Sequence, residues 1–364
     1  MHKNASVLPR CAMILLIMAT KNQCSTEVLN PITMMQNERN TGEDLYTDSN
    51  KIKRKEESHN LSLEKFSVYE PTISKDDSEA KFTQEVLKPV AKKTIDDFVI
   101  LEEMGEGAYG QVKLVRYKKD SNRKMVIKYV TKRRILIDTW TRDRRLGTVP
   151  LEIHVLDFLR QGGLQHPNII EMADFFEDEV NYYIETVPHG LPGMDLFDYI
   201  ELRTNMGEDE CRNIFVQVAQ AICHLHTKAS IVHRDIKDEN IVLDREGKIK
   251  LIDFGSAAYI KNGPFDVFVG TIDFAAPEIL SGKPYRGKEQ DVWALGILLY
   301  TIVYREKPFS TPDEIKESNL RIPYVMNEDN LSLIRAMLDQ NVETRATIEE
   351  VLRHPWCKTI EKKT

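Results

Sequence analysis

Between residues 94 and 357 apolar side chains recur at the spacings of regular structure, whereas from Asn22 to Lys93 they show no sustained period. The segments EEMGEGAYGQVKLVRY and KMVIKYV alternate as strands do, and the turn KKDSNRK joins them into an antiparallel pair. TIDDFVI (Thr94–Ile100) begins the first strand, and further strands are predicted around EMADFFED and VNYYIET. LEIHVLDFL spaces Ile153, Leu156 and Leu159 for one face of a helix, and FVQVAQAICHLH (Phe215–His226) has the same period. DVWALGILLYTIVY, Asp291 to Tyr304, is apolar almost all round. At 14 residues it is too short for a membrane span, which needs about 20, and it reads as a helix inside a core. A sheet followed by helices predicts an α+β fold.

The polar stretch before residue 94, with KIKRKEESHN and SKDDSEAK, holds too little apolar surface to offset its ordering entropy, so residues 1–93 are read as a disordered tail. Within it a mildly basic start precedes nine apolar residues, Cys11 to Ala19. That run has signal-peptide length but no small-residue cleavage pattern follows, so it reads as an irregular or docking segment and no stable membrane insertion is expected. A net charge of −7 argues against the broad basic surface that nucleic-acid binding requires, and KRR (Lys132–Arg134) is read as a solvated helix face. Five widely spaced cysteines without a CxxC pair argue against a disulfide framework or a zinc site. They favour a reducing compartment, the cytoplasm. With 364 residues, 41% of them hydrophobic, the chain has material for one two-lobed unit of about 260 residues.

The chemistry concentrates in HRDIKDEN, His233 to Asn240, a polar loop between a predicted helix and the short apolar run IVL. Phosphoryl transfer needs a carboxylate for the substrate hydroxyl proton, a cation beside the transferred group and a magnesium ligand. Asp235, Lys237 and Asn240 are of those types. Alone, the stretch reads equally well as a charged surface turn. Thirteen residues on, Asp253 ends the apolar strand of LIDFGSA, where a second magnesium ligand would sit. Upstream, GEGAYGQV (Gly105 to Val112) carries three glycines that let backbone approach phosphates, though an ordinary hairpin would have them too. No GK[ST] follows, which excludes a Walker loop, and no helix with a ribose-binding acid follows, which excludes a dinucleotide fold.

Together with MVIK and its Lys128, these motifs in this order resemble a eukaryotic protein kinase from about Asp96 to Trp356. The resemblance implies a bilobal fold, with a small antiparallel β lobe plus one helix over 94–186, a larger mainly helical lobe over 190–357 and a short C-terminal tail, 358–364. It implies ATP and Mg2+, with Asp235 as base and Lys237 beside the γ-phosphate, and Asn240 and Asp253 holding metal. The nucleotide would be held by Gly105, Glu106, Gly107, Ala108, Tyr109 and Gly110 above the phosphates, by Lys128 oriented by Glu152, and by Val112, Val126 and Leu243 around the adenine. In TVPHGLPGM, Thr186 resembles the gatekeeper, and backbone groups of Val187 and His189 would bond adenine, Pro188 having no N–H to donate. Asp291 resembles the acid that supports the catalytic loop, and Glu278 would pair with Arg345.

The segment RRILIDTWTRDRRLGTVPLEI, the KDEN form of the catalytic loop and LIDFGSAAYIKNGPFDVFVGTIDFAAPE resemble PAS kinases most, fungal ones in particular, with PIM kinases next. No PAS domain is recognisable in the 95 residues ahead, so sensory regulation is not carried over. Lys237, and Thr271 bonded to the catalytic aspartate and lysine, imply serine/threonine specificity toward proteins, with sugar storage and translation as the implied setting. Asp195 and Glu239 would converge on a basic residue three places before the phosphorylated hydroxyl, although Asp195 also suits a helix N-cap. The activation segment has no hydroxyl in its middle, and Asp266 would supply a fixed charge to Arg234, with Phe265, Val267, Phe268 and Val269 packing the loop. A monomer is expected. A scaffold without activity and a small-molecule kinase are the rival functions.

Overall fold

Period-two alternation produces the predicted small lobe. The computed structural model describes residues 93–107, 110–136, 139–190, 194–203, 205–317 and 319–358. Its strands β1 (Phe98–Gly107), β2 (Gly110–Tyr117) and β3 (Lys124–Thr131) are followed by a hairpin of β4 (Trp140–Asp143) and β5 (Gly147–Pro150), then helix α1 (Leu151–Leu159), β6 (Met172–Glu177) and β7 (Asn181–Thr186). The main sheet is antiparallel in the order β1-β2-β3-β7-β6. One face buries Phe98, Val115, Met125, Ile127, Phe176 and Tyr183 together. The opposite face carries Val126 and Lys128, because successive strand residues point to opposite sides. The first strand starts at Phe98 rather than Thr94; residues Ile95–Asp97 form a 3-10 turn, with Thr94 N donating to Asp97 Oδ2 at 2.9 Å. KRR is likewise a 3-10 turn, not a helix face.

The large lobe is mainly helical. Helices α2 (Leu196–Leu202), α3 (Glu208–His224), α4 (Pro277–Leu280), α5 (Gly287–Tyr304), α6 (Pro312–Glu317), α7 (Glu328–Met337) and α8 (Ile348–Arg353) surround short strands β8 (Met194–Asp195), β9 (Ile231–Val232), β10 (Ile241–Leu243), β11 (Ile249–Leu251) and β12 (Ala258–Tyr259). Only Lys288 and Glu289 of α5 escape burial, as its uniform apolar pattern predicts. Arg345 meets Glu278 through paired bonds of 2.8 and 2.9 Å and ties α4 to the segment before α8. Among the described residues no helix is long and apolar enough to cross a membrane. The expected tail through residue 92, its apolar run and residues 359–364 lie outside the described residues; Lys93, assigned to that tail, is bonded into the small lobe.

Candidate active site

Lys128 reaches out of β3 to Glu152 in the first turn of α1. Its Nζ lies 2.7 and 3.0 Å from the Glu152 carboxylate and 2.8 Å from Asp253 Oδ1. Burial by itself would lower the Lys128 pKa, but Glu152 and Asp253 outweigh it and hold the ammonium above the ordinary lysine range. Burial pushes the Glu152 carboxyl up against the pull of Lys128, whereas Lys128 keeps Asp253 ionised below the usual carboxylate range despite burial. The three form one charged cluster between the sheet, the helix and the loop after β11.

Asp291, fully buried in the second turn of α5, supports the catalytic loop from below. Its carboxylate accepts from His233 N (2.9 Å) and Arg234 N (2.7 Å) and meets His226 Nε2 at 2.8 Å. A buried carboxylate is tolerated only with such partners. The loop pays in backbone strain: Arg234 and Asp253 both adopt left-handed conformations, φ 66° and 61°, each unfavourable by about 1–2 kcal/mol for a residue with a side chain. Phe254, fully buried, packs edge-on to His233 with ring centres 5.0 Å apart and fixes Asp253 at the loop's edge.

Asp235 stands at the centre of this loop. Its Oδ1 accepts from Thr271 Oγ1 at 2.8 Å, and Asn240 Nδ2 donates to its Oδ2 (3.1 Å) and to its carbonyl (2.8 Å). Gly270 makes the Thr271 contact possible: at φ 129°, a Cβ there would come within 2.5 Å of the Arg234 carbonyl oxygen. The expected Thr271 bond to Lys237 is replaced, because Lys237 Nζ pairs with Glu239 at 2.6 Å. Burial lowers the Lys237 pKa, but Asp235, Glu239 and Asp253 outweigh it and raise it.

The remaining predicted residues fall on strands and connectors of the two lobes. Gly105, Glu106 and Gly107 end β1 and Gly110 and Val112 open β2; Ala108 and Tyr109 lie outside the described residues. The Glu106 side chain turns to Arg134 at 3.4 Å. Val112 pairs with Lys128, and Val126 with Thr186, across the sheet. Thr186 ends β7; Val187 is exposed, and His189 sends its ring to the Lys248 carbonyl at 2.9 Å. Leu243 is buried in β10. Asp195 caps α2, accepting from Asp198 N at 2.8 Å, so the plainer of its two readings holds. Its carboxyl is nevertheless pushed up to about 6, by burial first and then by Asp198, Glu239 and Asp238, which puts it in one acidic patch with Glu239.

The activation segment departs from expectation at two positions: Val267, expected to pack the loop, is 65% exposed, and Asp266 is exposed and does not meet Arg234. The buried Arg234 guanidinium donates from Nε to the Ser256 carbonyl at 2.7 Å, lies within 3.5 Å of the Tyr285 hydroxyl and covers the Phe265 ring. These contacts supply the guanidinium with a carbonyl, a hydroxyl and an aromatic face. Sequence reasoning also missed the β4–β5 hairpin and the Lys93–Glu185 pair. The turn residues of TRDRRLGTV signal the former; the latter joins residues 92 positions apart and leaves no local pattern.

Hard oxygen donors suit magnesium, which typically takes one or two carboxylates plus substrate phosphates. The Asp253 carboxylate and the Asn240 amide oxygen, whose amide nitrogen is committed to Asp235, fit that donor set. Comparison with known proteins agrees with the geometry. The protein kinase domain model matches residues 98–357. The chain belongs to the protein kinase family. This kinase domain is 54% identical over 267 residues to the serine/threonine-protein kinase ppk6 of Schizosaccharomyces pombe, covering 73% of this chain and 34% of that protein. It is 54% identical over 268 residues to the serine/threonine-protein kinase PSK1 of Saccharomyces cerevisiae, 72% of this chain and 19% of the relative. To the PAS domain-containing serine/threonine-protein kinase of Mus musculus it is 40% identical over 257 residues, 70% of this chain and 18% of the relative. The chain thus spans about a third or less of the length of these relatives.

Proposed function

We propose that this chain is a serine/threonine protein kinase that transfers the γ-phosphoryl group of ATP to protein hydroxyls. The observation that carries the reading is the Asp235 carboxylate, held between Thr271 and Asn240 beside a preformed Lys128–Glu152–Asp253 cluster. The substrate hydroxyl oxygen attacks the γ-phosphorus, its proton passes to Asp235, and the bond to the β-phosphate oxygen breaks to release ADP. Thr271 and Asn240 orient the base. Lys237 sits where charge builds on the transferred group, and Lys128 grips the α- and β-phosphates. Bound Mg2+, held by Asn240 and Asp253, would supply charge neutralisation of the phosphates. Val112, Val126 and Leu243 enclose the adenine, with Val187 and His189 offering backbone groups.

The acidic patch of Asp195 and Glu239 selects a basic residue upstream of the phosphorylated hydroxyl, with Lys237 as the cation that the substrate guanidinium displaces from Glu239. The likeness to PAS kinases makes proteins of sugar storage and translation the class to test, and a cytoplasmic monomer the working state. The deciding assay supplies radiolabelled ATP with a mixed peptide library. Label on serine and threonine peptides is expected. Label on small molecules alone, or none, refutes the reading, the latter outcome pointing to a scaffold.

A further inference from the structure

The β4–β5 hairpin runs without a break into α1: Pro150 ends β5, pairs with Trp140 and caps the helix. The hairpin is fixed to the sheet, since Trp140 lies 5.9 Å from the Tyr182 ring of β7 and the Tyr182 hydroxyl donates to Thr148 O at 3.1 Å. It is fixed to the helix as well. In its turn, Asp143 Oδ1 accepts from Arg145 N (2.7 Å) and Leu146 N (2.8 Å), while Oδ2 faces His154 Nδ1 at 3.5 Å. The Arg145 guanidinium, aimed by that turn, bonds Asp157 Oδ2. Asp157 Oδ1 takes Arg160 Nε at 3.0 Å, and Arg160 also donates to Ala173 O of β6 at 3.3 Å. Asp157 is 3% exposed, a buried carboxylate linking α1 to the hairpin on one side and to the sheet on the other.

Helix α1 needs such a hold. It has nine residues, fewer than the roughly 12 at which an isolated helix becomes even marginal, and its cap residue makes no side-chain bond. The position of Glu152 against Lys128 therefore depends on what grips the helix. The Tyr259 ring of the activation segment, 5.9 Å from both His154 and Phe158, touches it from the lower lobe. We infer that the hairpin is a built-in clamp on α1, with Asp157 as a positioning residue that acts through the helix to keep Glu152 on Lys128. The clamp does within one chain what a partner or a phosphate does where the helix is free to swing, since catalysis requires the lysine–glutamate pair to be in place. The inference rests on the kinase reading.

The test uses the full chain and the variants Arg145→Ala, Asp157→Asn and their double. Turnover, KM for ATP and peptide, amide hydrogen exchange over residues 151–159 and thermal midpoint are measured together. Asp157→Asn is expected to lower kcat about 5- to 30-fold, the effect of one or two kcal/mol, with faster exchange in α1 and an unchanged peptide KM. Arg145→Ala moves the same way by less, because Arg160 remains on Asp157, and the double falls no further than Asp157→Asn because both changes break one link. The Arg145 side chain is 60% exposed, so its truncation keeps the test readable even where Asp157→Asn misfolds. Unchanged kcat and exchange in Arg145→Ala overturn the clamp, as do a lowered midpoint with normal kcat in both variants and additive losses in the double. A wild-type chain that transfers no phosphate overturns the kinase reading instead, and the exchange data then still decide whether the hairpin restrains α1.

Discussion

The guanidinium of Arg234 lies 4.5 Å from the centre of the Phe265 ring while its Nε bonds the Ser256 carbonyl at 2.7 Å. In many kinases the arginine preceding the catalytic aspartate orders the activation segment by pairing with a phosphate. Here an aromatic face and a main-chain oxygen occupy it. Phe265 is pinned in turn, exchanging backbone hydrogen bonds of 2.8 and 2.9 Å with Tyr285, whose ring also meets Phe268 at 6.1 Å. A desolvated cation–π contact contributes about 2 kcal/mol, enough to favour a docked segment without added charge.

The kinase domain is accordingly expected to turn over without activation-segment phosphate. Protein stripped by phosphatase, with zero occupancy confirmed by mass spectrometry, should work within the roughly 1–100 s⁻¹ usual for kinases. Phe265→Ala should lower that rate. A stripped enzyme that is nearly inactive and regains activity on phosphorylation of the segment would refute the docked-loop explanation.

Substrate preference should depend on pH through Asp195. Its carboxyl titrates near 6 in the folded chain, raised by burial and by neighbouring acids. A carboxyl with a raised pKa is charged above that value and neutral below it, so the advantage of a peptide with arginine three places upstream over its alanine counterpart is full above about pH 7 and shrinks as pH falls through 6. The same sign makes its contribution to stability largest below the unfolded value of 3.8 and lost as pH rises through about 6. Asp195→Asn keeps an N-cap acceptor while removing the charge, and should flatten the profile. Preference that stays constant from pH 5.5 to 8 in the wild type would exclude Asp195 from recognition.

Lys93 should matter to stability although it precedes the first strand. Its Nζ contacts Glu185 at 2.8 Å and Asp174, and Glu185 is fully buried one residue before Thr186. Among the described residues, Lys93→Met leaves that carboxylate with Tyr117 as its side-chain partner and should destabilise the domain by about 3 kcal/mol, as unpaired buried charges do. Denaturant unfolding measures the difference. An unchanged midpoint would show that Tyr117 and solvent satisfy Glu185.

Local signals made most of the fold and site legible in the sequence. Alternation in KMVIKYV gave β3, the face of LEIHVLDFL gave α1, and the buried run around Trp293 gave α5. Motifs point to Lys128, Glu152, Asp235, Asn240 and Asp253, and the fold joins Lys128 to Glu152 and Asp253, and Asp235 to Asn240. What escaped lies in contacts between distant segments. Charge is visible in a sequence and points Arg234 to Asp266, while the packing that turns Phe265 under a guanidinium is not visible. The motifs imply a Lys237 bond to Thr271 as well as to the phosphate, but Lys237 pairs with Glu239, two residues along. The hairpin at 140–150 carried turn residues and β-branched residues, yet no apolar period strong enough to mark it before Tyr182 supplied its packing surface.

The most direct measurement compares wild type with Asp235→Asn for transfer of label from γ-labelled ATP to a serine peptide, with nucleotide affinity measured in parallel. The Asp235 carboxylate bonds Thr271 and Asn240, both in the large lobe, so affinity should stay near wild type while turnover falls by about 10² to 10⁴, the weight of a positioned base. A variant that phosphorylates the peptide at the ordinary rate, or a wild-type chain that transfers no label, would contradict phosphoryl transfer at Asp235.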